Sequence, residues 1–325
     1  MYESLSNECE SFHLYVFAFD DTTHSILQQL RLPHLTSISL IEFECQELLH
    51  VKPNRSMAEY CWTSTPFTVK HCLEIIGLDH CIYVDADLYF YNHPQILLQD
   101  NKDASVIITP HNYSLKNDQS ATAGIYCVQF LYFKNDFNGL HVLNIWANQC
   151  IAWCFARYED GKFGDQKYLD CWPYTYDGVK ICRHFGAGYA PWNVDRYQLN
   201  FSGKKYELRE AETTLPLIFY HFHYLKIYEN GKKYLGRYPF DEPVIQHIYL
   251  PYFEALERAE NLAKPFLNGA DPHGKAKNPN LKEYTWRDKL YLYRKNIMKS
   301  AKEMLVALSG KTTIEEMNES KKNYL

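Results

Sequence analysis

A chain of 325 residues with 46% hydrophobic and 16% aromatic content is too apolar for a disordered protein and can bury a sizeable core. Its formal net charge of −5 gives no whole-protein case for nucleic-acid binding. No run reaches the ~18 apolar residues of a membrane-spanning helix, and the polar, acidic residues 1–10 do not read as a signal peptide.

Residues 1–10 predict a short helix, and residues 12–19 a near-continuous apolar strand of the kind covered on both faces in parallel α/β sheets. Asp20 and Asp21 end that strand. An amphipathic helix follows over 22–30, a second strand over 35–40 and a brief helix over 43–49. The helical pattern of 55–63 is interrupted by Pro66. With Thr65 as N-cap and Pro66 at the first helical position, a separate helix is expected from there to Gly77.

That helix feeds the stretch Cys81-Ile82-Tyr83-Val84-Asp85-Ala86-Asp87-Leu88-Tyr89-Phe90. On an extended chain Asp85 and Asp87 share one side while Ala86 points away. Flanking apolar residues make two charges there costly unless something pairs with them. Such a hard-oxygen pair suits Mg²⁺ or Mn²⁺, and its place at a strand's carboxyl end is where open α/β sheets bind ligands.

Further strands are expected over 104–109, 125–134 and 179–182, with a polar loop over 112–123 and a long amphipathic helix over 139–157. A turn spans 158–164, a helix begins at Asp165-Gln166, residues 186–193 read as a loop, and 216–224 as a last buried strand. Helices alternating with strands at these spacings predict an α/β, doubly wound, mostly parallel sheet with helices on both faces. Beyond about residue 240 the character changes to a helical C-terminal extension: a helix over 249–263, a Gly/Pro/Asn/Lys-rich linker over 268–280, and a basic amphipathic helix over 286–308. From residue 261 onward there are thirteen Lys and Arg against seven Asp and Glu, so the basic charge is concentrated at that end. Domain boundaries of 1–240 and 241–325 follow. The basic helix reads either as a solvated face or as a surface for an anionic membrane.

The ten cysteines fall mostly inside apolar periodic segments and include no Cys-x-x-Cys pair, so reduced thiols in a cytoplasmic enzyme are expected. Gly186 and Gly188 are too close and wrongly placed for a dinucleotide fingerprint. Taken alone, His221 and His223 in Phe219-Tyr220-His221-Phe222-His223-Tyr224 could be hydrogen-bonded core histidines, Asp165 an N-cap, and Lys226 a solvated lysine.

Their order, however, resembles the GT-A-type nucleotide-sugar glycosyltransferases, in particular those related to glycosyltransferase family 8, the glycogenin and lipopolysaccharide galactosyltransferase group. Tyr83-Val84-Asp85-Ala86-Asp87 is similar to the family's Tyr-Leu-Asp-x-Asp. The run from Tyr126-Cys127-Val128-Gln129 to Phe133-Lys134-Asn135 resembles its Tyr-Asn-Ser-Gly-Val-Leu-x-Phe-x-Asn strand. Asp165-Gln166-Lys167-Tyr168-Leu169-Asp170 resembles Asp-Gln-x-x-Leu-Asn, and His221-Phe222-His223-Tyr224-Leu225-Lys226 resembles His-Phe-x-Gly-x-Lys. The resemblance covers about residues 1–230.

It implies a GT-A-type, Rossmann-like fold and transfer of a sugar from a nucleotide-diphosphate donor, most simply a UDP-sugar, to a glycan or lipid-linked acceptor in cell-surface polysaccharide synthesis. Asp85, Asp87 and His221 would hold Mn²⁺ or Mg²⁺ at the donor's phosphates, and Lys226 would add a point charge there. Asp165 and Gln166 would face the reacting carbon of the donor sugar. The family's donor-binding Arg is replaced by Trp62, leaving Arg55 or Glu59 to substitute, and Cys127 and Gln129 replace its Asn and Gly, with Gln129 kept among the donor contacts. Residues 1–5 resemble the end of the family's first helix, which implies that its first strand is missing and the domain truncated at its N-terminus. With the basic helix on an anionic surface, the enzyme would sit peripherally on the inner face of the membrane. Two other classes share the Asp pair. One is a degenerate, non-catalytic sugar-binding or scaffold homologue, and the other a haloacid-dehalogenase-type phosphatase, against which Leu88 and Tyr89 directly after the pair argue.

Overall fold

The computed structural model describes residues 1–203, 205–229, 231–267, 269 and 271. The basic helix expected at 286–308 and most of the linker expected at 268–280 lie outside these. Among the described residues, 1–223 and those from 237 onward form one unit, and 224–236 belong to a second. Strands are numbered β1 (Leu14–Phe17), β2 (Leu35–Ile38), β3 (His80–Val84), β4 (Leu88–Phe90), β5 (Val106–Pro110), β6 (Tyr126–Lys134), β7 (Val179–Ile181), β8 (Ala187–Tyr189), β9 (Gln198–Ser202), β10 (Lys205–Glu210), β11 (Thr213–Pro216), β12 (Phe219–His221), β13 (Lys226–Ile227) and β14 (Lys233–Tyr234).

The first unit is α/β, but its sheets are small and mixed rather than one mostly parallel sheet. The central sheet runs β3-β6-β5-β7, antiparallel except for β5 with β7. A second sheet, β4-β12-β8, pairs β12 antiparallel to β4 and parallel to β8. The β1 and β2 strands form a parallel pair of their own, and β9–β11 an antiparallel meander. The departure has a simple cause. Continuous apolar character reports burial on both faces, and β6 earns that burial while running antiparallel to both neighbours.

One face of the central sheet packs Val106, Ile108, Leu131 and Phe133 against Trp146 and Trp172, all fully buried, with Val142 and Leu143 of the helix Phe137–Ala152. The other face packs Ile107 and Phe130 against Leu88, Phe90 and Phe219 of the second sheet. Tyr126 and Val128 of β6 join the first core, as do Leu131 and Phe133, although strand alternation would send the two pairs to opposite faces. The register explains it. Ile108 pairs with Leu131 but Thr109 pairs with Cys127, so β6 bulges between them. The buried Thr109 hydroxyl fills the bulge, reaching the carbonyls of Phe130 at 3.2 Å and Cys127 at 3.4 Å.

The helix start expected at Pro66 is corrected. One helix, Met57–Lys70, runs through it and continues into the wider turn His71–Ile75. Pro66 cannot bond the preceding turn, but the hydroxyls of Thr63, Thr65 and Thr68 in this segment bond back to the carbonyls of Glu59, Cys61 and Thr65. Within the expected loop at 186–193, Ala187–Tyr189 forms β8. The helix predicted over 139–157 ends at Ala152. All ten cysteines are unpaired. Among the described residues no helix is long and apolar enough to cross a membrane.

The second unit contains the hairpin β13–β14, with Lys226 opposite Tyr234.

Candidate metal centre

Asp85 and Asp87 lie in the turn between β3 and β4, where the chain leaves the central sheet for the second one. The Asp85 amide still donates to the Gln129 carbonyl of β6 at 3.1 Å, and the Leu88 amide closes the turn on the Asp85 carbonyl at 3.4 Å. From there β4 pairs with β12, His221 opposite Leu88, and the Phe222 amide donates to the Asp87 carbonyl at 3.0 Å. Backbone pairing between distant parts of the chain thus delivers His221 to the two carboxylates.

One ligand atom from each of Asp85, Asp87 and His221 lies within 4.8 Å of the others. Nε2 of His221 is 3.1 Å from Oδ1 of Asp87 and 3.8 Å from Oδ2 of Asp85. Neighbouring ligands around one ion with bonds of about 2.1 Å stand about 3 Å apart, so modest adjustment would let the three share a cation. Two hard oxygens and one imidazole suit Mn²⁺ or Mg²⁺ better than the thiolate-rich sets of structural zinc sites. On the far side of the ring, Nδ1 of His221 meets Oε1 of the fully buried Gln129 at 2.8 Å, leaving Nε2 turned to the carboxylates. The donor set therefore fits a divalent metal ion.

The electrostatics agree. Burial opposes charge on His221, but the carboxylates of Asp87 and Asp85, with the Cys127 thiol, hold its pKa well above the ordinary value. Burial also opposes charge on Asp87, and the His221 imidazolium reverses this and lowers its pKa. Asp85 is raised, by burial first and the neighbouring Asp87 charge second, with His221 and the Tyr83 hydroxyl opposing. The imidazolium thus fills the electrostatic place that a cation would take.

Asp165 is a third acidic residue, within reach of the charge of Asp85. It is 5% exposed, and burial, followed by the charge of Asp85, pushes its pKa up to about 7. Its carbonyl accepts from the Trp146 indole at 2.9 Å, which ties the backbone here to the core. Tyr83 of β3 donates to Oδ1 of Asp85 at 2.9 Å. Asp165 is thus coupled to the ligand set through the charge of Asp85.

Three of the remaining candidates have partners of their own. The Gln166 amide donates to the Ala123 carbonyl at 2.8 Å and braces the short turn Ser120–Ala123. Glu59 forms a capping box with Ser56 and accepts from the Ala156 amide at 2.8 Å. Arg55 stacks on Phe155, 4.0 Å from the ring centre, and donates to the Ile151 carbonyl at 3.2 Å. Lys226 opens β13 in the second unit.

Sequence reasoning missed the wall behind the histidine. The Trp192 ring lies edge-on to both His221 and His223, each 5.3 Å away, and its indole donates to the His111 carbonyl at 2.7 Å. The fully buried Asn193 ties that carbonyl to the Gly188 carbonyl, at 2.9 and 3.0 Å. Burial and the charge of His221 lower His223 to about 4 and, together with His223, help lower His111 to about 3. The Trp-Asn dipeptide after a Gly-rich loop was the available signal, and by itself it names no partner.

No family model matches this chain. A solved glycosyltransferase involved in the glycosylation of the major capsid of PBCV-1 aligns with a TM-score of 0.38 and 8% identity, over 66% of this chain and 93% of its own. A likeness that slight carries no argument here. Sequence relatives are far closer. The uncharacterized protein YfnF of Bacillus subtilis (strain 168) is 29% identical over 230 residues, 68% of this chain and 75% of its own. The uncharacterized protein YfnD of the same organism is 31% identical over 278 residues, 83% of this chain and 88% of its own. With that identity over that length, the chain belongs to the family of YfnD.

Proposed function

We propose that this protein is a metal-dependent glycosyltransferase of GT-A type that moves a sugar from a nucleotide-diphosphate donor, a UDP-sugar in the first instance, to a glycan or lipid-linked acceptor of the cell surface. The observation that carries the reading is the convergence, within 4.8 Å, of Asp85 and Asp87 from the β3–β4 turn and His221 from β12. The order of four motifs along the sequence supports it.

Bound at this site, Mn²⁺ or Mg²⁺ supplies positive charge for the diphosphate leaving group. Asp85, Asp87 and His221 hold and orient that charge, and Lys226 is assigned to the same phosphates on the motif resemblance alone. Asp165, raised to about 7, can lose or hold its proton near neutral pH, as a group next to the reacting sugar carbon needs. Gln166 would orient that carboxyl's surroundings while bracing the turn Ser120–Ala123. Arg55, Glu59 and Gln129 are proposed around the donor. A peripheral position on the inner membrane face would follow from residues 286–308.

The test is incubation of purified protein with a panel of nucleotide-diphosphate sugars, with Mn²⁺, Mg²⁺ or EDTA, reading release of the nucleoside diphosphate. Metal-dependent release with one donor is expected. Binding of donor without turnover would favour a non-catalytic sugar-binding protein. Phosphate release from monoesters without nucleotide-sugar turnover would favour a phosphatase.

A further inference from the structure

The β6 bulge has a chemical consequence. Bulges re-aim side chains, and this one falls at residues 128–130, where the strand changes which residues face the core. Gln129 comes out of it fully buried, with Oε1 2.8 Å from Nδ1 of His221, a residue 92 positions away. Its Nε2 has no hydrogen-bond partner among the described residues. A buried amide nitrogen left unmet is costly, so the side chain is held here by what its oxygen does. Room for it comes from Gly188 of β8, where a Cβ would stand 2.2 Å from that same Nε2.

An amide oxygen can only accept. Facing Nδ1, it requires the imidazole proton to sit on Nδ1 and so leaves Nε2 as the nitrogen available to a cation. The opposite amide orientation would present a donor to Nδ1, force the proton onto Nε2, and point an N–H at Asp85 and Asp87. We propose that Gln129 is a positioning residue for the metal site, fixing the Nδ1–H tautomer of His221 so that Nε2 faces a divalent cation shared with Asp85 and Asp87, with Gly188 as the residue that admits it. This departs from the donor-sugar contact otherwise assigned to Gln129. It rests on the metal part of the proposed function and is independent of sugar transfer.

The experiment compares Mn²⁺ binding, by electron paramagnetic resonance titration of the full chain, for the wild type, Gln129→Glu and Gln129→Met. Gln129→Met, which cannot accept from Nδ1–H, should bind Mn²⁺ about 10–100-fold more weakly. Gln129→Glu keeps an acceptor in place and should bind within a few-fold of wild type or more tightly. In parallel, ¹⁵N-histidine NMR of the Cd²⁺-loaded wild type should show His221 protonated at Nδ1 and coordinated through Nε2. Equal Mn²⁺ affinity in a folded Gln129→Met protein, or coordination through Nδ1, would overturn the role of Gln129 while leaving the metal site standing. Absence of Mn²⁺ binding in the wild type would remove the metal site and this inference with it. If Gln129→Met does not fold, loss of binding in Gln129→Glu or the wrong tautomer in the wild type refutes the inference.

Discussion

Asp165→Asn probes the site's electrostatics without changing its shape. In the folded protein the carboxyl titrates at about 7 against an ordinary 3.8. Below pH 4 it is protonated whether the chain is folded or not, and its burial costs nothing extra. Between 4 and 7 the unfolded chain ionises it while the folded chain keeps the proton, so stability falls as pH rises. Above 7 both forms are ionised and the penalty is complete. At roughly 1.36 kcal/mol per unit, the full penalty is about 4 kcal/mol as an upper limit. Asparagine has no proton to lose and carries no such term.

Urea unfolding of both proteins in EDTA, at intervals from pH 4 to 8, isolates this term because most other titrating groups are common to the two. The difference in unfolding free energy should grow in favour of Asp165→Asn from pH 4 and level off above about 7. Mn²⁺ should shrink it, since part of the shift comes from the charge of Asp85. A difference that is flat across the range would refute both the burial of the carboxyl and its coupling to the metal centre.

Two other substitutions separate the site from its scaffold. Asp87→Asn should abolish metal-dependent turnover and the thermal shift given by Mn²⁺ while leaving far-UV circular dichroism unchanged. In the wild type, Mn²⁺ at a hundred times its Kd should contribute about 2.7 kcal/mol, or about 4 °C in Tm with an unfolding entropy of about 2.1 cal/mol/K per residue. Gly139→Ala should lower stability by about 1–3 kcal/mol or more in a denaturant melt, because its Cβ would stand 2.1 Å from the Lys134 carbonyl where the helix Phe137–Ala152 meets β6. Wild-type stability in that variant would show that this helix start is not clamped against the sheet.

What the sequence made legible was what depends on one segment alone. β6 and the helix at 137–152 follow from apolar periodicity, and Asp85 and Asp87 stand out because charges interrupt an apolar run. Strand direction depends on the partner, so β6 reads as a buried strand without revealing that both its neighbours run the other way. The bulge at Gln129 lies in the register of β6 against β5 and has no signature in either strand alone. The meander β9–β11 is short and polar, with Lys205-Tyr206-Glu207 alternating too briefly to stand out. Glu59 and Gln166 show the converse limit. Nothing in the letters themselves reveals that one caps a helix and the other braces a turn.

The two aspartates are two residues apart in the chain, but the histidine reaches them only through the pairing of β12 with β4. An unfolded chain therefore offers a cation little more than a weak pair of carboxylates, and the complete site is a product of assembly between the sheets. Any partly folded species in which β12 has not docked lacks the three-residue set altogether, so affinity for a cation there would be a measure of completed folding rather than of local order. The ion would select, from all the arrangements the chain visits, the one in which the last strand of the domain has come home.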